Sequence, residues 1–150
     1  MSPPGEAGTE PVSGEFGEGL RRMRMALDLL QPPSEEHAAA LIAPLLHPEI
    51  QVLGSPGIGP AHGYDGRDEF LRYFDDAAAH GVWIRSDASE VVIAPSGAML
   101  ITATLLISGH GLADTTPAWF VLTFRDGLIA SLETHLSREM ADESVAGKVP

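Results

Sequence analysis

The stretch from residue 86 to 141, SDASEVVIAPSGAMLITATLLISGHGLADTTPAWFVLTFRDGLIASLETHLSREMA, constrains the fold more than any other part of the chain. Apolar runs alternate with polar residues between short turns, which is how strands with one buried face read. Asp126-Gly127 between two such runs marks a hairpin, because both residue types tolerate the positive φ of a tight turn. Pro95-Ser96-Gly97 marks another. Strands are predicted at 82–88, 90–94, 99–109, 117–125 and 128–136, with 110–116 as a longer connection.

The first half has a different period. Phe16, Leu20, Met23, Leu27 and Leu30 recur at three- and four-residue steps and give one apolar helical stripe, which Pro32 and Pro33 end. Ser34, followed by two acids, reads as the N-cap of a second helix over 38–46, interrupted near Pro44. His47-Pro48 reads as a turn, EIQVL (49–53) as a short strand and GSPGIGP (54–60) as a loop. A third helix starts at Asp65 or Gly66, carries Phe70, Phe74, Ala77 and Ala78 on one stripe, and stops at Gly81. Helices first and an antiparallel meander second make an α+β domain. Residues 1–18 and 144–150 are expected as tails around one domain at 19–143.

Composition excludes several function classes. A net charge of −12 lacks the basic footprint that nucleic acid or an anionic membrane needs. Without cysteine there is no disulfide framework and no thiolate ligand or nucleophile. That fits the reducing cytoplasm, which is the expected location. Residues 1–19 carry no secretory pattern, and the longest apolar stretch, 38–46, is far below the ~20 residues of a membrane helix. The Gly-rich loop lacks the Lys-Ser/Thr of a phosphate-binding loop, and no Ser sits in a nucleophile elbow.

The order of elements, carried by LLHPEIQVL (45–53), HGYDGRDEFLRYF (62–74) and FRDGLIASLETHLSREMA (124–141), resembles the nuclear-transport-factor-two-like fold and, within it, the SnoaL-like family. The resemblance covers about residues 20–140. It implies a curved antiparallel sheet wrapped around the N-terminal helices as a cone, with an apolar pocket and frequent homodimers formed through the outer sheet face. Its members include polyketide cyclases, ketosteroid isomerases, limonene-epoxide hydrolases and dehydratases. Carried over residue by residue, the isomerase base falls at about Gly54, its oxyanion acid near Phe120 and its helix-one tyrosine near Met23. The charged groups of the epoxide hydrolases fall near Thr104, Leu106 and Thr134, and the cyclase aspartate has no match in LETHL. None of these charge sets is present.

Alternation places Phe120, Leu122, Leu132 and Thr134 on an apolar inner wall, with Ala130 and Leu136 in the same row. Met23, Leu53, Phe74 and Thr104 complete the expected ligand-binding set. His62 and Tyr64, in the loop before the third helix, are the expected catalytic pair: an imidazole to move a proton and a phenol to hydrogen-bond a carbonyl. Asp65 reads as a helix cap, His47 as a turn residue and His110 as a rim residue. Glu133 and His135 share a strand face, but two ligands make a weak metal site, so no metal or cofactor is expected. Arg85 and Asp87 read as a surface ion pair. Trp119 and Val121 face outward and suit a dimer interface. The expected function is a cofactor-free isomerase, cyclase, lyase or hydrolase acting on an apolar polyketide- or terpenoid-like metabolite. The alternative is a non-catalytic ligand-binding or dimeric accessory domain.

Overall fold

The computed structural model describes residues 14–32, 37–54, 63–79, 81, 83–109 and 112–148. The elements run α1 (Gly14–Leu30), α2 (Ala38–Ile42) with a 3-10 turn at Ala43–Leu45, β1 (Leu46–Leu53), β2 (Tyr64–Asp65), α3 (Arg67–Ala79), β3 (Trp83–Ile93), β4 (Met99–Gly109), β5 (Leu112–Arg125), β6 (Leu128–His135) and α4 (Arg138–Ala146). The strands form one six-stranded sheet in the order β2-β1-β6-β5-β4-β3. This is the α+β, helix-covered curved sheet that the element order predicts. It is mixed rather than antiparallel, because β1 lies parallel to β6.

One core holds the molecule together. Leu29, Ile42, Leu46, Ile50, Met99, Ile101, Leu122 and Ile129 are all nearly or fully buried between the helices and the inner sheet face. Burying each such side chain contributes about 1.5–3 kcal/mol relative to exposure, before chain entropy is set against it.

Several boundaries differ from expectation, each for a local reason. The first helix extends back to Gly14, so residues 14–18 belong to α1 and not to a tail. Pro48 lies inside β1, where the pairing with β6 is irregular between Leu46 and Gln51. A proline is tolerated at such a break because no ladder N–H is required of it. The predicted strands 82–88 and 90–94 are one strand, whose register shifts between Ala88 and Glu90. That shift is a bulge, and a bulge resets the alternation that makes one strand look like two. β5 begins at Leu112, absorbing most of the expected long connection. Asp65 is a strand residue paired with Gln51, and the helix that follows Gly66 begins at Arg67. Ser34, His62 and His110 lie outside the described residues, as does most of the 54–60 loop.

The C-terminal end departs most from expectation. α4 packs on the outer sheet face, where Ala141 meets Leu100 and Val121 in a small second core flanked by Trp119 and Val145. Ser144 and Lys148 both bond Glu133, so the expected 144–150 tail is docked at least as far as Lys148.

Candidate functional site

A cavity of about 100 Å³ opens between α3, the end of α1 and the inner face of the sheet. One wall is aromatic. Phe70, Tyr73 and Phe74 fall at three- and four-residue steps on α3, which puts them on one helix face. Tyr64, from β2, completes the cluster: its ring centroid lies 5.4 Å from Tyr73 and 5.9 Å from Phe70. The Phe70–Phe74 and Tyr73–Phe74 pairs meet edge to face at 5.1 and 5.3 Å. These are the spacings that quadrupoles favour, and they stiffen the wall.

The opposite wall is the sheet, which presents Val52, Ser86, Leu105, Phe120, Leu132 and Thr134. Period-two alternation selects them, and the cross-strand pairs Ser86–Leu105 and Phe120–Thr134 show that they share one face. Leu29 and Leu30 close the base.

Tyr64 is aimed by the backbone. Gly63 has φ 74°, and a Cβ there would collide with the carbonyl oxygen of Val52. Only glycine lets β2 approach β1 so closely, and the Val52–Tyr64 pairing then sets the direction of the ring.

The polar groups on the walls are hydroxyls: Tyr64, Tyr73, Ser86 and Thr134. Among the described lining residues there is no carboxylate and no imidazole. Burial pushes the Tyr73 phenol up to about 12, and the neighbouring Tyr64 adds to the rise. The Tyr64 phenol is also raised, first by burial and then by the charges of Asp76 and Glu69. Near neutral pH both rings therefore hold their protons and act as hydrogen-bond donors, not bases.

Of the expected site residues, Tyr64, Phe74, Phe120, Leu132 and Thr134 line this cavity. His62 lies outside the described residues, and the remaining four are placed elsewhere. Leu53 follows inward-facing Val52, so it points outward and is 52% exposed. Thr104 precedes inward-facing Leu105 and is exposed on the outer face for the same reason. Leu122 is inward but fully buried, beyond the reach of a ligand. Met23 is half-buried against the core, one or two turns of α1 before the cavity. Ala130, expected in the inner row, lies on the outer side with Ser131, because the β5–β6 register shifts between Thr123 and Phe124. Ile129 takes the inner place instead.

Sequence reasoning missed Tyr73 and Ser86. Tyr73 stands three residues after Phe70, so the helical stripe carried its signal. Ser86 could be placed only by knowing the bulge that fixes the register of β3.

Outside the cavity, Glu133 and His135 do share a face, 3.0 Å apart, but the rest of that cluster is Ser144 and Lys148. No group of three or more metal-binding side chains occurs among the described residues. Burial alone would raise the Glu133 carboxyl, but hydrogen bonds from Lys148, Ser144 and His135 outweigh it and hold the group below its usual range. Arg85 and Asp87 form the surface ion pair read from the sequence, at 3.2 Å. His47 is buried rather than a turn residue, with its Nδ1 accepting the Glu49 N–H at 3.0 Å and Arg125 against its ring. Val121 is fully buried beneath α4, so it is not part of an open outer surface.

No family model matches the chain, and no curated protein matches it. Solved structures do. An NTF2-like protein of unknown function from Burkholderia pseudomallei superposes with a TM-score of 0.64 at 14% identity, covering 86% of this chain and 95% of that one. A Mycobacterium tuberculosis protein in complex with estradiol-17β-hemisuccinate gives 0.65 at 15% identity, covering 82% and 96%. A putative polyketide cyclase from Sinorhizobium meliloti gives 0.56 at 18% identity, covering 76% and 93%. The chain has the nuclear-transport-factor-two-like fold.

Proposed function

We propose that this protein takes a small, mostly apolar, polyketide- or terpenoid-like metabolite into the cavity beside α3 and acts on it without a cofactor. The observation that carries this reading is the cavity itself, with its aliphatic and aromatic walls and the rings of Tyr64 and Tyr73 side by side on one wall. Apolar walls bind by shape and burial, while a few placed donors fix orientation. Two neutral phenols suit a carbonyl or enol oxygen. Each donates its O–H, and the bonds strengthen as negative charge develops on that oxygen. His62, two residues before Tyr64, takes a proton from the substrate and returns it to the rearranged or ring-closed product, a cyclase- or isomerase-type reaction. Two structural neighbours support the reading: one holds a steroid ester and another is named a putative polyketide cyclase.

The experiment is native mass spectrometry of protein taken from its producing cells, followed by turnover of whatever apolar compound is retained. Tyr64→Phe and His62→Ala should each lower kcat by about 10²-fold or more. Unchanged kcat in both variants would remove their roles. A second reading, binding without turnover, is favoured by the lack of a carboxylate or imidazole among the described lining residues. Retention of a compound that emerges chemically unaltered selects it.

The proposal includes a cytoplasmic location and a homodimer. Among the described residues no helix is long and apolar enough to cross a membrane. With Val121 covered, the dimer surface is the strip of outer face beside α4, where Leu53 and Gln51 are exposed. A monomer by light scattering at micromolar concentration would rule the dimer out.

A further inference from the structure

A second hollow, about 110 Å³, lies where α1, the β3–β4 turn, the end of β5 and the segment after α4 meet. It shares no lining residue with the aromatic cavity. Arg22, Ser96, Gly97, Thr123, Phe124 and Lys148 form its walls. The chain has 9 Lys and Arg against 21 Asp and Glu, yet two cations line this space and no carboxylate is among its described lining residues.

Several donors on these walls have capacity beyond the bonds they make. The Arg22 guanidinium is held over the Phe124 ring at 5.1 Å, and its Nη1 lies beside Gly97. Its Nε is buried without a hydrogen-bond partner, since the Glu18 carboxylate stops 3.6 Å away. Ser96 Oγ accepts the Ala98 N–H, and that leaves its own O–H to donate. Lys148 donates one N–H to Glu133 and has two more to place. Thr123 and Ser131 share one hydroxyl bond, so Thr123 can turn its hydrogen outward when Ser131 donates. Donors gathered around a recess are satisfied together by an acceptor-only guest, and a guanidinium with an ammonium favours one that is anionic.

We infer that this hollow binds a phosphate-type oxyanion, either free or as the end of a small phosphorylated metabolite, with Arg22 and Lys148 as its charged partners and Ser96 as a neutral donor. The site is independent of the aromatic cavity and stands or falls apart from the reaction proposed there. Arg22 precedes the cavity-lining Leu29 by two helical turns, roughly 10 Å along the axis.

Inorganic phosphate is the probe, titrated into the full chain at constant ionic strength against chloride and followed by amide NMR. Saturable shifts at Gly97 and Ala98 with one phosphate per chain are expected. Arg22→Gln and Lys148→Gln should each weaken binding at least tenfold, while Arg24→Gln, on the exposed side of α1, leaves it unchanged. Shifts that never saturate, that chloride reproduces, or that survive both substitutions would overturn the site. Should Arg22→Gln fail to fold by circular dichroism, Ser96→Ala takes its place with the same expectation. A simple phosphate monoester binding more tightly than inorganic phosphate identifies a metabolite as the source, and equal or weaker binding identifies the free ion.

Discussion

Tyr64 and Tyr73 are the two tyrosines of this chain, and both line the same cavity. Absorbance titration of tyrosinate therefore reads the site directly. Neither ring should ionise fully by pH 10, and Tyr73 should titrate near 12. A phenol whose folded pKa is raised contributes stability that is complete below its unfolded value near 10. That contribution is lost as pH climbs toward 12, so the protein should weaken over this window. Tyr73→Phe should flatten the alkaline loss of stability as measured by urea unfolding. Gly63 is the other decisive residue. Gly63→Ala adds left-handed strain of about 1–3 kcal/mol to a backbone collision, and chemical denaturation should show a loss above that range. Tyr64 could be picked out of the sequence because it reads as part of a loop entering a helix, although it proves to be a strand residue. Its aim could not, because that depends on how close β2 comes to β1.

At the scale of elements, α4 and the two bulges decide most. Glu133 holds α4 to the outer sheet face through Ser144, at 2.6 Å, and through Lys148. Its carboxyl is lowered in the folded state, so the stability it contributes is present above the ordinary carboxylate range. That stability is lost as pH falls through the lowered value. Hydrogen exchange should show α4 amides loosening below pH about 4 before the rest of the sheet opens. Glu133→Gln should remove most of that acid sensitivity and reduce stability by about 1–2 kcal/mol at neutral pH. The register shift in β6 explains why alternation put Leu132 and Thr134 on the inner face correctly but misplaced Ala130. β4 pairs without interruption from Met99 to Gly109, and every inward residue follows from the first. The shift beside Ala130 changes the face of everything before it in β6. A pair of substitutions tests this geometry: Leu122→Ala should cost about 2–5 kcal/mol in denaturant unfolding, whereas exposed Thr104→Ala should change stability by less than about 0.5 kcal/mol.

For the whole molecule, α1, α2 and α3 cover the inner face of a curved sheet while α4 sits on the outer one, and the cavity is the part of the inner interface the side chains leave unfilled. Large-to-small changes on its walls and large additions into it should separate binding from folding. Leu105→Phe should reduce ligand capacity with little change in unfolding midpoint, measured on the same preparation, because it fills space already empty. The sequence by itself determined the helix-then-strand order, the α+β class, the Asp126-Gly127 hairpin and the apolar inner row. These rest on periods of 3.6 and 2 and on turn chemistry, which are local. Only the tertiary structure decided that β1 runs parallel to β6, that α4 covers Val121, that Tyr73 stands beside Tyr64, and that Arg22 and Lys148 meet although they stand 126 positions apart in the chain. Such meetings depend on register, bulges and chain closure, and a window of neighbouring residues carries no record of them.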